Sequence, residues 1–180
     1  GKSYAIYYSG SSFGTMWAPE RETPPDLWRE KARRELIDMR EHGCRSATIN
    51  PPFVASTVGG RLAVDFTNLK QCLDLHRETG MLDGPTAYIA CYSKVDGKTA
   101  LHPATAKLGT SEGRKEYYYI LEKLVEATEK FCRENNFPSL YHYGIDEANT
   151  VATRANFNDP SLAPDYSVGI CRDMFRAIRK

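Results

Sequence analysis

The chain has no stretch of roughly 18 consecutive apolar residues, and Gly1-Lys2-Ser3 opens no signal-peptide pattern. It is therefore expected to be soluble as it stands, with no membrane partner. Cysteines are few and unpatterned. Cys44, Cys72, Cys91, Cys132 and Cys171 stand singly, five in all, without a C-x-x-C. That spacing argues against a disulfide framework and against a zinc site, so no metal is expected. An excess of one charge is also missing, with 24 Lys and Arg against 23 Asp and Glu and no basic run. A nucleic-acid or anionic-membrane footprint needs such an excess. No G-x-G-x-x-G follows the first strand-like segment and no Walker loop occurs, which removes the usual signs of a nucleotide site. No cofactor is expected.

What is present is alternation. Ser3–Ser9 reads as a first strand, followed by a loop with Phe13 and Trp17. Thr23-Pro24-Pro25-Asp26 reads as a helix start, and Trp28, Ala32, Leu36 and Met39 recur at helical spacing until Gly43. Arg45–Asn50 is a second strand ended by Pro51-Pro52. A loop containing Gly59-Gly60 then leads to a helix from near Asp65, with Phe66, Leu69, Leu73 and His76 on one side and Gly80 at its end. Thr86–Tyr92 is a third strand, and Ser93–Gly109 a long loop. A helix capped by Thr110 or Ser111 carries Tyr117, Leu121, Leu124, Thr128 and Phe131, and closes at Asn135-Asn136-Phe137-Pro138. Tyr141–Glu147 is the fourth strand, and a last helix is expected near Asp165–Arg179, with Cys171 on its apolar face.

Strand and helix repeated four times, with no linker, predicts one α/β domain over residues 1–180 built on a parallel sheet. A doubly wound sheet and a TIM (β/α)8-type barrel both fit that pattern. The missing nucleotide loop, together with strands rich in Ser, Thr and Tyr, favours the barrel. A whole barrel takes about 250 residues, so four β-α units in 180 residues read as a half-barrel fragment. The remaining half, or self-association, would cover the unpaired edge.

In either architecture sites gather at the carboxyl ends of strands. Tyr8, Asn50, Tyr92 and Ser93 fall there; they suit hydrogen bonding to sugar hydroxyls and equally suit helix capping. Trp17 and Phe13 suit stacking on a sugar ring or packing on their own domain. Asp146 and Glu147 end the fourth strand, where two adjacent carboxylates are costly to desolvate unless used. The plain alternative is a helix cap beside a solvated acid. His142 alternates onto the Asp146 face, where it serves as a structural or sugar-contacting group. His76 reads as a helix-face residue, and His102 has no evident partner. Eleven tyrosines are a further feature that suits a carbohydrate cleft.

His142-Tyr143-Gly144-Ile145-Asp146-Glu147 resembles the H-x-G-G-D-E signature at the end of strand four in the family 20 β-hexosaminidases, with Ile145 where that family has its second glycine. The wider layout, including Leu36–Cys44 and a tyrosine-rich strand running into Asp-Glu, is similar to the family 123 glycoside hydrolases and their relatives. Both groups use the substrate's own 2-acetamido group as nucleophile, an exception to the two-carboxylate scheme. The resemblance implies that Glu147 is the general acid/base and that Asp146 orients the acetamido nitrogen. An ionised Asp146 beside Glu147 would help the latter keep its proton. It also implies a β-linked N-acetylhexosamine substrate and extracellular or periplasmic use. Two alternatives stand beside it. One is a non-catalytic barrel-derived domain binding carbohydrate or protein. The other is a conventional retaining glycosidase whose nucleophile lies on a later strand, about 5–5.5 Å from the acid.

Overall fold

A computed structural model describes residues 4–6, 25–51, 53–89, 93–99 and 111–143. Three helices dominate: α1 (Pro25–Glu41), α2 (Thr67–Glu78) and α3 (Ser111–Glu134). Each is set by a buried stripe at helical spacing. Ala32 and Leu36 form it on α1, Leu69, Cys72, Leu73 and His76 on α2, and Tyr117, Ile120, Leu121, Leu124, Thr128 and Cys132 on α3.

The helices stop where the chain can turn left-handed. Gly80 has φ +71°, its N–H donates to the Arg77 carbonyl at 3.1 Å, and the next N–H, of Met81, donates to the His76 carbonyl at 2.7 Å. That is a Schellman arrangement, and it satisfies carbonyls that would otherwise be orphaned at the helix end. α3 ends in the same way, with Asn136 (φ +55°) in the glycine's place and the Phe137 N–H on the Cys132 carbonyl at 2.8 Å. Asparagine tolerates this backbone better than other non-glycine residues.

Four short strands follow the predicted alternation. β1 (Tyr4–Ile6) pairs parallel with β2 (Cys44–Ala47), and β5 (Ala87–Ile89) pairs parallel with β8 (Tyr141–Tyr143). Just past β2, Ile49 stands opposite Tyr88 in a parallel bridge, and its N–H donates to the Ala87 carbonyl at 2.8 Å. The lateral order is therefore β1-β2-β5-β8, in which each strand neighbours the next of the series. No reversal of order occurs among the described residues.

The helices lie on one side of this series. Direct pairing puts Ile49, Tyr88 and His142 on the same face, and Ala47 joins them two residues before Ile49. Ala47 packs with Ala32 and Leu36 of α1, and with Leu75 of α2 and Met81. Ile49 and Tyr88 pack with Leu69, Cys72 and Leu73 of α2, and with the buried stripe of α3. Thr48, Asn50, Ala87 and Tyr141 alternate onto the opposite face. Tyr141 there is 66% exposed.

Two segments expected as loops are β-hairpins. β3 (Val54–Val58) and β4 (Arg61–Asp65) pair antiparallel across Gly59-Gly60, whose φ angles are +56° and +75°. β6 (Lys94–Val95) and β7 (Lys98–Thr99) pair across Asp96-Gly97, at +49° and +76°. Two successive positive φ angles give the tight hairpin turn whose twist matches the strands it joins. β3 and β6 then pair parallel, giving a second sheet in the order β4-β3-β6-β7. The expected loops at the ends of β2 and β5 thus satisfy each other's backbone. Asp96 locks the join, accepting from the Thr57 N–H and hydroxyl, both at 2.8 Å. The second helix, expected from near Asp65, begins at Thr67, because Asp65 ends β4 and accepts from the Thr67 N–H at 2.9 Å. The predicted fourth helix lies outside the described residues.

Leu73 and Leu124 are wholly buried, whereas Leu27 on α1 is 62% exposed. Leu73→Ala or Leu124→Ala should each lower unfolding stability by about 2–5 kcal/mol. Leu27→Ala should change it by less than about 0.5 kcal/mol. Urea titration of the three variants checks the assignment; equal losses at all three positions would contradict the core described here.

Candidate functional site

The carboxyl ends of β2 and β5 are held together by buried hydroxyls. Tyr88, fully buried, donates its hydroxyl hydrogen to the Pro51 carbonyl at 3.1 Å. Ser93, also fully buried, accepts the Phe53 N–H on its hydroxyl at 3.0 Å, and Lys94 N–H donates to the Phe53 carbonyl at 3.0 Å. These bonds join the chain leaving β2 to the chain leaving β5 before the two hairpins begin. The hairpin sheet is thereby anchored at the carboxyl ends of the central strands. Ser93, expected to contact sugar or cap a helix, instead turns its oxygen to the backbone.

Asn50 lies in this region, on the face away from the helices. Its Oδ1 is buried and has no hydrogen-bond partner among the described residues. A buried amide oxygen without a partner costs about 1–3 kcal/mol, so Asn50 is a candidate acceptor for a hydroxyl or N–H. Tyr8, Tyr92, Asp146 and Glu147 lie outside the described residues, as do Phe13, Trp17 and His102.

His142 sits on the helix side of β8. Its side chain is 5% exposed, the ring stands edge-on to Tyr88 with centroids 5.8 Å apart, and Nε2 is 3.5 Å from Oε1 of Glu129 on α3. The same Glu129 oxygen accepts the Leu140 N–H at 3.2 Å. Burial pushes the His142 pKa below its ordinary value, with Glu129 opposing the shift. The structure therefore places His142 in packing between sheet and helix, and away from Asn50. Of the expected site residues Asn50, Ser93 and His142 are described; Ser93 serves the backbone, and Asn50 and His142 occupy opposite faces.

His76 is wholly buried on α2, with Nδ1–H on the Cys72 carbonyl at 2.8 Å and Nε2 unpartnered. Burial lowers its pKa, opposed by that hydrogen bond. The thiols on the helices are inert. Burial pushes Cys72 up to about 12, and burial with help from Glu129 pushes Cys132 up to about 11, so neither supplies a thiolate near neutral pH. No grouping of three or more His, Cys, Asp or Glu suited to a metal ion occurs among the described residues, and none of the described helices is long and apolar enough to cross a membrane.

Two features of this region escaped sequence reading. Val54–Asp65 places β-branched residues around Gly-Gly, and Asp96-Gly97 is a strong two-residue hairpin signal. Either could have revealed the second sheet. Glu129 carried no signal, since a helix glutamate is ordinarily solvated. Scanned against protein-family models, and compared with curated proteins and with solved structures, the chain gives no match.

The two buried histidines make stability depend on pH. Each has a folded pKa below the ordinary 6.5, so the unfolded chain binds more protons once pH falls to that value. Stability is then fully present above about pH 6.5 and declines as pH drops through the folded pKa values. Exposed His42 is shifted the other way, by its bond to the Asp38 carbonyl and by the Asp38 charge, and solvent weakens its opposition. Urea midpoints at pH 7.5, 6.5 and 5.5 should fall in that order, and His76→Gln should flatten the dependence. A midpoint that rises on acidification would contradict the burial of both rings.

Proposed function

We propose that this chain is the first half of a (β/α)8-type glycosidase domain that cleaves β-linked N-acetylhexosamine glycosides with retention, using the substrate's acetamido group as nucleophile. The observation that carries the reading is the sheet order β1-β2-β5-β8, parallel throughout, with the described helices against one face. A doubly wound sheet reverses its order and takes helices on both faces. A barrel adds strands consecutively and keeps its helices outside. In this reading the Asp146-Glu147 pair follows the fourth strand of the series, at the end where barrel enzymes build their sites.

The roles follow from the chemistry of a glycoside. Glu147 protonates the departing glycosidic oxygen, and the acetamido oxygen closes on the anomeric carbon to give an oxazolinium-like ion. Asp146 holds the acetamido N–H and balances the positive charge. Glu147, now ionised, takes a proton from the water that opens the ring. Asn50, with a free acceptor on the face away from the helices, takes a substrate hydroxyl. His142 sets the strand and does not touch sugar.

One observation favours a non-catalytic carbohydrate-binding reading instead. Tyr141 offers a large exposed aromatic surface on the face that a barrel would enclose, and such a surface can bind a sugar ring without any acid.

Release of nitrophenol from 4-nitrophenyl N-acetyl-β-galactosaminide and its glucosaminide counterpart decides between them. Glu147→Gln should lower turnover by on the order of 10²–10⁴, with an unchanged circular dichroism spectrum. Equal rates for the chain and its variant would remove Glu147 from the acid role. Sugar binding that persists without turnover after both acids are replaced would favour the binding domain. Turnover of simple glucosides or galactosides, which lack the acetamido group, would point to a conventional two-carboxylate hydrolase.

A further inference from the structure

Glu129 behaves unlike several other charged groups of its helix. Lys123 and Glu126 pair at 2.8 Å, and Lys130 and Glu134 at 3.8 Å, both along the exposed helix surface. Glu129 instead reaches across to the next strand. One carboxylate oxygen accepts the backbone N–H of Leu140, just before β8, and faces the imidazole of His142 within β8. We infer that Glu129 is a positioning residue. By holding the root and the middle of β8 against α3, it sets the direction in which the following residues, Asp146 and Glu147, are delivered. This rests on the reading of that pair as the reacting acids.

The need for such a hold lies at the entry to β8, which is bonded to β5 along Tyr141–Tyr143. Leu140 is nearly buried and lies just outside the ladder, so its N–H requires an acceptor. Glu129 is that acceptor, and a charged acceptor makes the stronger bond. The His142 ring also makes a T-shaped contact with Tyr88 of β5, itself bonded to the Pro51 carbonyl. The ring thus meets both a carboxylate from the helix and an aromatic ring from the neighbouring strand. At 3.5 Å, Nε2 lies close enough to feel the carboxylate charge without a hydrogen bond of good geometry.

The test compares the unaltered chain with Glu129→Gln and Glu129→Ala. In Glu129→Ala the Leu140 amide should exchange roughly 10- to 100-fold faster with solvent deuterium, while the Leu73 amide in α2 keeps its protection. Glu129→Gln retains an accepting oxygen and should hold most of the Leu140 protection. It removes the negative charge, so His142, followed by NMR titration, should protonate at a lower pH than in the unaltered chain. If Glu129→Ala does not fold, the Glu129→Gln titration decides alone. Unchanged Leu140 exchange in the alanine variant, or an unchanged His142 titration in the glutamine variant, overturns the hold. Where the chain turns over nitrophenyl N-acetylhexosaminides, Glu129→Ala should lower kcat by roughly 10- to 100-fold with KM little changed, and Glu129→Gln should restore most of it. Full turnover in the alanine variant despite faster Leu140 exchange would overturn the positioning role. Absence of turnover in the unaltered chain would mean that this half-barrel is incomplete or silent and would bear on the acid-pair reading alone; exchange and titration still decide whether Glu129 holds the strand.

Discussion

Tyr88 is the residue on which the described structure turns. Its backbone pairs with Ile49 on one side and with His142 on the other, so it joins the β1-β2 pair to the β5-β8 pair. Its ring is fully buried with Leu69 and Leu73 of α2 and Leu124 of α3. Its hydroxyl, which would be expensive to bury unpaired, bonds the Pro51 carbonyl where the chain leaves the β2 segment. A phenylalanine at this position would fill the same space and leave that carbonyl without its bond. Apolar burial, strand order and the exit of the β2 segment therefore meet in one side chain.

One-sided helix cover follows from that junction and shapes the rest. With Ala47, Ile49, Tyr88 and His142 all facing the helices, the opposite face carries Thr48, Asn50, Ala87 and the exposed ring of Tyr141. Beyond the strand ends the chain does not stay irregular. The hairpins after β2 and β5 pair with each other, bury Phe53, Ala55 and Val95 into the same core, and leave Val54 and Val58 outward. The carboxyl end of the sheet thus gains a rigid extension built from backbone bonds, and the hydroxyls of Tyr88 and Ser93 fix its root. A site on such a rim has its walls placed by a sheet, which holds side chains more closely than a loop of the same length.

The electrostatics are divided the same way. Many ion pairs lie on exposed helix surfaces, including Arg29 with Glu78 at 2.7 Å between α1 and α2, and such pairs add little. The charge at Glu129 is different because it lies beside a nearly buried ring and a nearly buried amide. There the loss of solvent makes both partners dependent on it, and the region's response to acid is concentrated in His76 and His142.

The sequence by itself determined the three described helices and their carboxyl-terminal stops, the α/β alternation and the four strand segments that pair in parallel. Helical spacing of Leu36, Leu73 and Leu124 and the turn residues Gly43, Gly80 and Asn136 act within a few positions of the chain, so they can be read without knowing what lies across the core. Of the expected site, Asn50, Ser93 and His142 fall within the described residues; His142 lies on β8 as expected, whereas Asn50 lies three residues past the end of β2. Sequence could not say that His142 faces the helices and Asn50 does not. Alternation gives two faces, but only pairing of Ile49 with Tyr88, and of Tyr88 with His142, tells which face is which. The tertiary structure alone decided three further things: the lateral order of the strands, the union of two hairpins into a second sheet, and the reach of Glu129 to β8. Each is a contact between segments far apart in the chain. Its free energy depends on closing the intervening chain and removing water from both partners, and no local pattern of residues records that.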